Sequence, residues 1–553
     1  MSQLLERFRE VHGRNPKVLH IGNIANNSYN NAKLINGNGI DCDVLCYDYY
    51  HVMGCPEWED ADFRGDYGDD FFPNWEAVDL NGFQRPKWFV QGPLNFCIKY
   101  LDSKNRNHTI RAGFWWKVLA ESRRFIRWRK KYGSFSSGKK HFIESLKKFI
   151  SRKEYFSLLS EIIVFFLFTS FWQILLLLFI TARCMNSIVI FSLKVLKRFK
   201  KMATRSQGRG TRERRRSLSM VSWDDYIAHC ESLVREFNEH FPDRPDKLNV
   251  EELEQFYSPV NKFLYLFQHY DLVEAYSTDP IYPLLMRFKP YIAYEHGTIR
   301  DIPFDDNVVS RLTALAYAKA DHVFITNPDC IKRVDDLCIK KYSFVPHVID
   351  QKYERAPSPV RSRYGISEKS RLIFAPARQN WEIKGNDITF HAFHQYLQDY
   401  PDAYLAIPFW GQDVDKSKSL IDELKIKKNI IELEPLKIRE LIDWINAADC
   451  VIDQYYGYFG GIAPSALACG KPLIMDFNAN WYEWAFTEMP PVLWANTVQT
   501  VYERLIEAMK MDLNSYHAQA IQWVKENYGY EMVKDEHIAQ IASLLATRGC
   551  SYD

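Results

Sequence analysis

Short apolar runs alternate with amphipathic stretches at both ends of this chain, and that alternation sets the expected elements. Lys17–Ile21 (KVLHI) is an apolar run ending on Gly22 and Asn23, which predicts a buried strand closing in a tight turn. Asn30–Ile35 has helical character, Asn36–Gly39 (NGNG) stops it, and Asp43–Cys46 (DVLC) predicts the next strand. Strand, glycine turn, helix, strand is the opening of a Rossmann-like unit. Residues 51–93 are rich in Asp, Glu and aromatics and poor in periodicity. They predict a long ordered loop, either beside a site or plain surface.

The alternation resumes near Tyr270. Strands are expected at 271–276, 291–298, 322–326 and 342–350, with helices at 279–288 and 306–320 between them. A polar stretch with Pro357 and Pro359 then reads as a linker. A second series starts at RLIFAPAR (371–378). It runs through a helix at 387–399, strands at 403–409 and 430–435, a helix at 437–447, and strands at 449–454 and 471–477. The pattern predicts two parallel α/β domains. The first takes residues 1–102 and 222–352, the second 370–530. A linker covers 353–369, and a C-terminal helix and tail cover 531–553.

Residues 103–221 break the pattern and predict a helical insertion in the first domain. Its centre, Ile162–Ala182, is 21 residues without a charge, long enough to cross a bilayer core. Residues 122–154 carry a net charge of +10 and residues 194–216 another +10, which leaves the rest of the chain near −18 although the total is only +2. The predicted strands on both sides of the insertion belong to one sheet and must lie on one side of a membrane. The insertion therefore crosses an even number of times, re-enters, or lies in the interface. Basic flanks at both ends place it on the cytoplasmic side as a monotopic or re-entrant anchor, with 122–216 against an anionic membrane surface. A nucleic-acid partner is not expected, because an uncharged 21-residue run has no part in one. The eleven cysteines show no CxxC pair and no zinc spacing, and the first residues lack a signal-peptide core, so a reducing, cytoplasmic compartment is expected.

Candidate chemistry concentrates in the second domain. Arg378 closes its first strand, and Lys384 and Gly385 follow in the loop before a helix. Two cations at the carboxyl end of such a strand suit a pyrophosphate, and equally describe two surface charges in a loop. In DQYYGYFGGIAPSALACGKPLIM (453–475), glycines 457, 460 and 461 precede a helix expected to start near Pro464.

Together, LIFAPAR…KG, AADCVIDQYYGYFGG…ALACGKPLI and FVPHVID resemble the retaining GT-B glycosyltransferases of family 4. The likeness covers roughly 16–50 and 265–545 and is strongest over 371–475. It implies a GT-B fold, two Rossmann-like domains facing across a cleft. It also implies a nucleotide-sugar donor on the C-terminal domain and an acceptor on the N-terminal one. By position, Arg378 and Lys384 match the pair that contacts the donor diphosphate. Gly460 and Gly461 match glycines near the phosphates and sugar, and Gly22 and Asn23 match the N-terminal loop facing the donor. His296 in YEHGT matches a histidine beside the transferred sugar. The resemblance further implies retention of configuration, no bound metal and no cofactor beyond the donor as co-substrate.

One departure stands out. The family carries two glutamates with seven residues between them where this chain has Gly457 and Ser465. A DQ-containing variant of the family fits Asp453 and Gln454 at the first position, and Ser465 offers one hydrogen bond at the second. His51, Asp66, Asp69 and Asp70 are acceptor candidates that read equally as solvated surface. The expected function is transfer of a sugar to a lipid-linked or envelope-glycan acceptor. The alternative is a non-catalytic GT-B-like membrane protein that binds a nucleotide sugar or a partner enzyme.

Overall fold

The computed structural model describes residues 2–132, 221–349 and 358–549. Among these residues, thirteen strands form two sheets in which every strand pairing is parallel. The first holds β1 (Lys17–Ile21), β2 (Asp41–Tyr47), β3 (Phe89–Gly92), β4 (Leu272–Tyr276), β5 (Tyr291–Tyr294), β6 (His322–Ile325) and β7 (Tyr342–Phe344), in the order β3-β2-β1-β4-β5-β6-β7. The second holds β8 (Leu372–Phe374), β9 (Tyr404–Pro408), β10 (Ile430–Leu433), β11 (Cys450–Ile452), β12 (Leu473–Met475) and β13 (Leu493–Trp494), in the order β10-β9-β8-β11-β12-β13. Both sheets thus run outward from their first strand and reverse beside it. This is the doubly wound order, with a crevice at the carboxyl ends where the direction switches. Two such domains are the GT-B architecture the sequence led us to expect.

The strands form where they do because helices cover both faces of each sheet, so their residues read as continuous apolar runs. Val18, Leu19 and Ile21 of β1 are fully buried, as are Val273 and Ala275 of β4 and Leu372, Ile373 and Phe374 of β8. The first sheet's cover includes the helices Asn27–Ile35, Val308–Ala318 and Tyr257–Phe267. The final helix, Tyr530–Gly549, also belongs to this domain. Its Val533, Ile538, Ile541 and Ala542 share a core with Val18, Ala32, Ile292 and Phe324, although it follows the second domain in sequence.

Two expectations need correction. Residues 51–93 are not all loop: Phe89–Gly92 is the edge strand β3, pairing Val44↔Phe89 through Tyr47↔Gly92. Four residues after a long irregular stretch carry too little periodicity to announce a strand. Moreover, β8 ends at Phe374, so Arg378 stands in the following loop and not at the strand's end. The rest of 51–80 builds a small aromatic core of Val52, Cys55, Phe63, Trp75 and Val78, with Trp58 and Tyr67 against it.

The first part of the region read as an insertion packs with the first domain. Leu119 is buried beside Cys97 and Leu101 of the helix Leu94–Asn105. Of the remainder of this region, only residues up to 132 are described. Ile162–Ala182 lies outside the described residues, as does 350–357 of the linker region; Val360–Tyr364, further along, is helical. Among the described residues, no helix is long and apolar enough to cross a membrane.

Candidate functional site

The carboxyl ends of the central strands of both sheets converge, and each end contributes one loop. After β1 the chain turns at Gly22, whose φ of +88° is left-handed and whose N–H donates to the Leu45 carbonyl at 3.0 Å. A β-carbon on Gly22 would lie 2.5 Å from Oδ2 of Asp279, so only glycine fits. Asn23 is buried and its side chain is fully engaged. Its Nδ2 donates to Asn26 Oδ1 and the Gly54 carbonyl, and its Oδ1 accepts from Ser28 Oγ and the Tyr29 N–H. Asn23 therefore shapes the loop, and Gly22 supplies its half-buried backbone. Ala25 and Asn26 are also left-handed (φ 49° and 57°), a strained turn held by the Asn26 Nδ2 bond to the Cys55 carbonyl.

His296 follows β5. Asn27 Nδ2 lies 2.6 Å from its Nδ1, which makes that nitrogen the acceptor and leaves the proton on Nε2. Burial, with a smaller push from the Arg300 charge, lowers its pKa to about 4, so the ring is neutral at pH 7. Its peptide neighbour Glu295 is completely buried. One oxygen accepts the Gly297 N–H, and the other lies 3.3 Å from the Thr326 and Asn327 amides. This carboxylate ties the loop after β5 to the loop after β6. Arg300, in the first of these loops, grips Asp329 of the second through two bonds of 2.7 Å.

The second domain answers with residues from the loops after β8 and β11. Arg378 is exposed in the loop after β8, while its neighbour Gln379 is locked by bonds to the Trp410 and Pro408 carbonyls and to Ser417. Lys384 ends the short helix Trp381–Lys384, which Asn380 caps at its start and left-handed Gly385 closes. Asp453 follows β11; burial raises its pKa to about 6, opposed by the nearby Lys384 and by the backbone N–H of Ala463. Gly460 and Gly461 are exposed just before the helix Ile462–Ala468, which carries Pro464 in its first turn. Gln454 is not free for a ligand, since its amide bonds the Tyr458 carbonyl and the Tyr456 N–H. Ser465 spends its hydroxyl on the Gly461 carbonyl at 3.3 Å.

Gly457 explains the missing glutamate. Its φ is +80°, and an added β-carbon would sit 3.2 Å from the Trp481 ring and 3.3 Å from Asn478. No glutamate fits this backbone without movement.

Direct contacts bring the two sets together. A β-carbon on Gly460 would lie 3.9 Å from Oδ1 of Asn327, so the glycine loop faces the loop after β6. Arg300 lies over the Tyr458 ring at 5.4 Å, Lys332 over Trp481 at 4.9 Å, and Trp484 donates to the Pro328 carbonyl at 2.9 Å. On another side, Arg439 pairs with Asp62 at 2.7 Å and Lys437 lies 4.0 Å from the Phe63 ring centre.

The weaker acceptor candidates are turn formers. His51 Nδ1 accepts the Met53 N–H, Asp66 the Gly68 N–H, Asp69 the Phe71 and Phe72 amides, and Asp70 the Tyr67 hydroxyl. Sequence reasoning passed over Asn27, Glu295, Asn327 and Asp279. The first three act by holding other groups, which leaves no mark in a sequence. Asp279 sits in STDP, which reads only as a helix start. Among the described residues, no group of three or more His, Cys, Asp or Glu has the geometry to hold a metal.

No family model matches the chain. Over 125 residues, 22% of its length, it is 27% identical to the D-inositol 3-phosphate glycosyltransferase of Xylanimonas cellulosilytica, and the match spans 29% of that protein. Among solved structures it is similar to Anabaena HepE in complex with UDP and glucose, with 16% identity and a TM-score of 0.44 over 53% of this chain and 83% of that one. It is also similar to the sucrose-phosphate synthase of Thermosynechococcus elongatus, with 13% identity and a TM-score of 0.42 over 53% of this chain and 80% of that one.

Proposed function

We propose that this chain is a glycosyltransferase that takes a sugar from a nucleotide-diphosphate sugar and passes it to a lipid-linked or envelope-glycan acceptor, with retention of configuration. The observation that carries the reading is the opposition of two unlike edges. Arg378 and Lys384 stand at the carboxyl end of one doubly wound sheet, and the neutral His296 stands at the carboxyl end of the other. The local likeness to an inositol-phosphate glycosyltransferase agrees with it.

In this reading the donor diphosphate lies against Arg378 and Lys384, with the Gly460–Gly461 backbone close to it. Charge grows on the diphosphate as its bond to the anomeric carbon breaks, and fixed cations stabilise that growth without reorganising. The sugar projects toward the first domain, where the Nε2–H of His296 donates to a sugar hydroxyl. A ring with a pKa of about 4 serves as a hydrogen-bond donor near pH 7 and not as a proton carrier. The acceptor oxygen attacks the face the diphosphate leaves, and its proton passes to a diphosphate oxygen.

The membrane address rests on sequence alone: the uncharged run Ile162–Ala182 between two strongly basic stretches supports attachment at a cytoplasmic face. Deleting 155–197 should release the protein from anionic vesicles; continued sedimentation with them would refute the anchor.

A second reading, a nucleotide-sugar-binding protein without turnover, is favoured by Gly457 and Ser465, neither of which can reproduce a glutamate's contacts here. The two readings part on one comparison. Arg378→Ala and Lys384→Ala should each lower turnover of a nucleotide sugar at least a hundredfold, in line with the loss of one transition-state charge contact. Turnover at wild-type levels in both would sink the donor site. Nucleotide binding without consumption in the unaltered protein would select the second reading.

A further inference from the structure

The first domain holds a charged group at its switch point that the reading above does not use. Asp279 follows β4 by three residues, beside the place where the strand order reverses between β1 and β4. Three neighbouring strand ends fix it. Gly22, after β1, leaves the space that Oδ2 occupies, since a β-carbon there would come within 2.5 Å of it. Tyr47, the last residue of β2, donates its hydroxyl to Oδ1. The backbone N–H of Asp279 donates to the carbonyl of Tyr276, the last residue of β4, at 3.0 Å.

Asp279 has no cationic partner among the described residues, and Oδ2 accepts no hydrogen bond from them. The titratable groups around it are Tyr47 of β2, Tyr282 of the helix Ile281–Leu285, Tyr317 of the helix Val308–Ala318 and the thiol of Cys46, all neutral at pH 7. Burial raises the carboxyl's pKa to about 7, with the Tyr47 hydrogen bond pulling the other way. A carboxylate held half-buried without a counter-charge costs stability and is balanced by no charged group in the fold described around it, so a ligand is its natural partner.

A negative charge repels a diphosphate and attracts a hydroxyl. The cleft therefore offers Arg378 and Lys384 on the second domain for the leaving group and the Asp279 carboxylate on the first for a neutral donor of a hydrogen bond. We propose that Asp279 binds the acceptor's attacking hydroxyl, accepting its hydrogen bond on Oδ2 beside the Gly22 turn. The substrate class this selects is an acceptor that is uncharged next to the reacting hydroxyl, such as a sugar or glycerol unit, with any phosphate it carries held away from Gly22. This rests on the glycosyltransferase reading.

The test uses the full chain in detergent, a panel of nucleoside-diphosphate sugars as donors, and water or glycerol as surrogate hydroxyls. Asp279→Asn keeps the size of the side chain and removes the charge. It should lower nucleotide release to water and to glycerol at pH 8 at least tenfold, with nucleotide affinity within twofold of the unaltered protein. The unaltered protein's rate should fall as pH drops through about 7, and Asp279→Asn should lack that limb. Tyr47→Phe removes the hydrogen bond that favours the charged form, so its limb should move to higher pH. Rates in Asp279→Asn within twofold of the unaltered protein would overturn the proposal while leaving the glycosyltransferase reading intact. A parallel loss of nucleotide affinity would overturn it too, by making Asp279 part of the donor seat. No consumption of any donor by the unaltered protein would overturn both.

Discussion

Gly457 shows how a single backbone conformation decides what chemistry a position can carry. A left-handed φ costs a non-glycine residue roughly 1–2 kcal/mol, and here the Trp481 ring and Asn478 add a steric cost. Placing there the glutamate that the sequence resemblance would put at this position, Gly457→Glu, should therefore lower the urea midpoint and fail to raise turnover; a variant both stable and faster would show that the loop adapts. Asp279 makes a second prediction with a definite sign. Its folded pKa of about 7 lies above the ordinary 3.8. The folded state thus holds this proton longer than the unfolded one, and stability falls as pH rises from about 4 to 7. Asp279→Asn escapes that loss, so its melting temperature should exceed the unaltered protein's by more at pH 8 than at pH 4.5. Equal differences at both pH values would contradict the placement of this carboxyl. The sequence named Gly22, Arg378, Lys384 and His296 and hid Asp279. Residue types in a pattern are legible, whereas a carboxylate's neighbours arrive from β1 and β2, more than two hundred residues away.

Strands buried on both faces announce themselves as apolar runs, which is why eleven of the thirteen described strands were legible, and the four-residue edge β3 and the two-residue edge β13 were not. Less legible was the final helix, expected as an element but without a docking place. It is anchored by a polar contact at the centre of the first sheet. Glu274 of β4 is fully buried and pairs through Oε2 with Nε2 of His537 at 2.7 Å, while its other oxygen accepts from the Tyr276 hydroxyl. Burial works to raise the Glu274 pKa, and His537, His20 and the Tyr276 hydroxyl together outweigh it, so the carboxyl is held below its ordinary range. The stabilisation is present above that range and lost as pH falls through it. Removing one partner of a buried pair leaves the other uncompensated, so His537→Leu should destabilise the protein by about 3–5 kcal/mol in urea unfolding. A loss below 1 kcal/mol would mean that the apolar contacts of Val533, Ile538 and Ile541 hold the helix unaided.

The two doubly wound domains meet through loops from their carboxyl ends, and the aromatic module of residues 52–80 spans the same junction. It bonds the Gly22 loop through the Gly54 and Cys55 carbonyls, and it reaches the second domain through Asp62 and Phe63. Exposed pairs such as Asp62–Arg439 contribute little alone, typically under about 1 kcal/mol. The buried Glu295 and the Arg300–Asp329 pair do more to hold the first domain's loops. The molecule thus presents an electropositive edge and a carboxylate-bearing edge to one cleft, which suits a donor with a charged leaving group and an uncharged nucleophile. Incubating the detergent-purified full chain with UDP-, GDP-, ADP- and TDP-sugars, and following nucleotide release, addresses that reading at its root. Steady release from at least one donor, abolished by Arg378→Ala, is the expected result. Tight nucleotide binding with no release from any donor would contradict it.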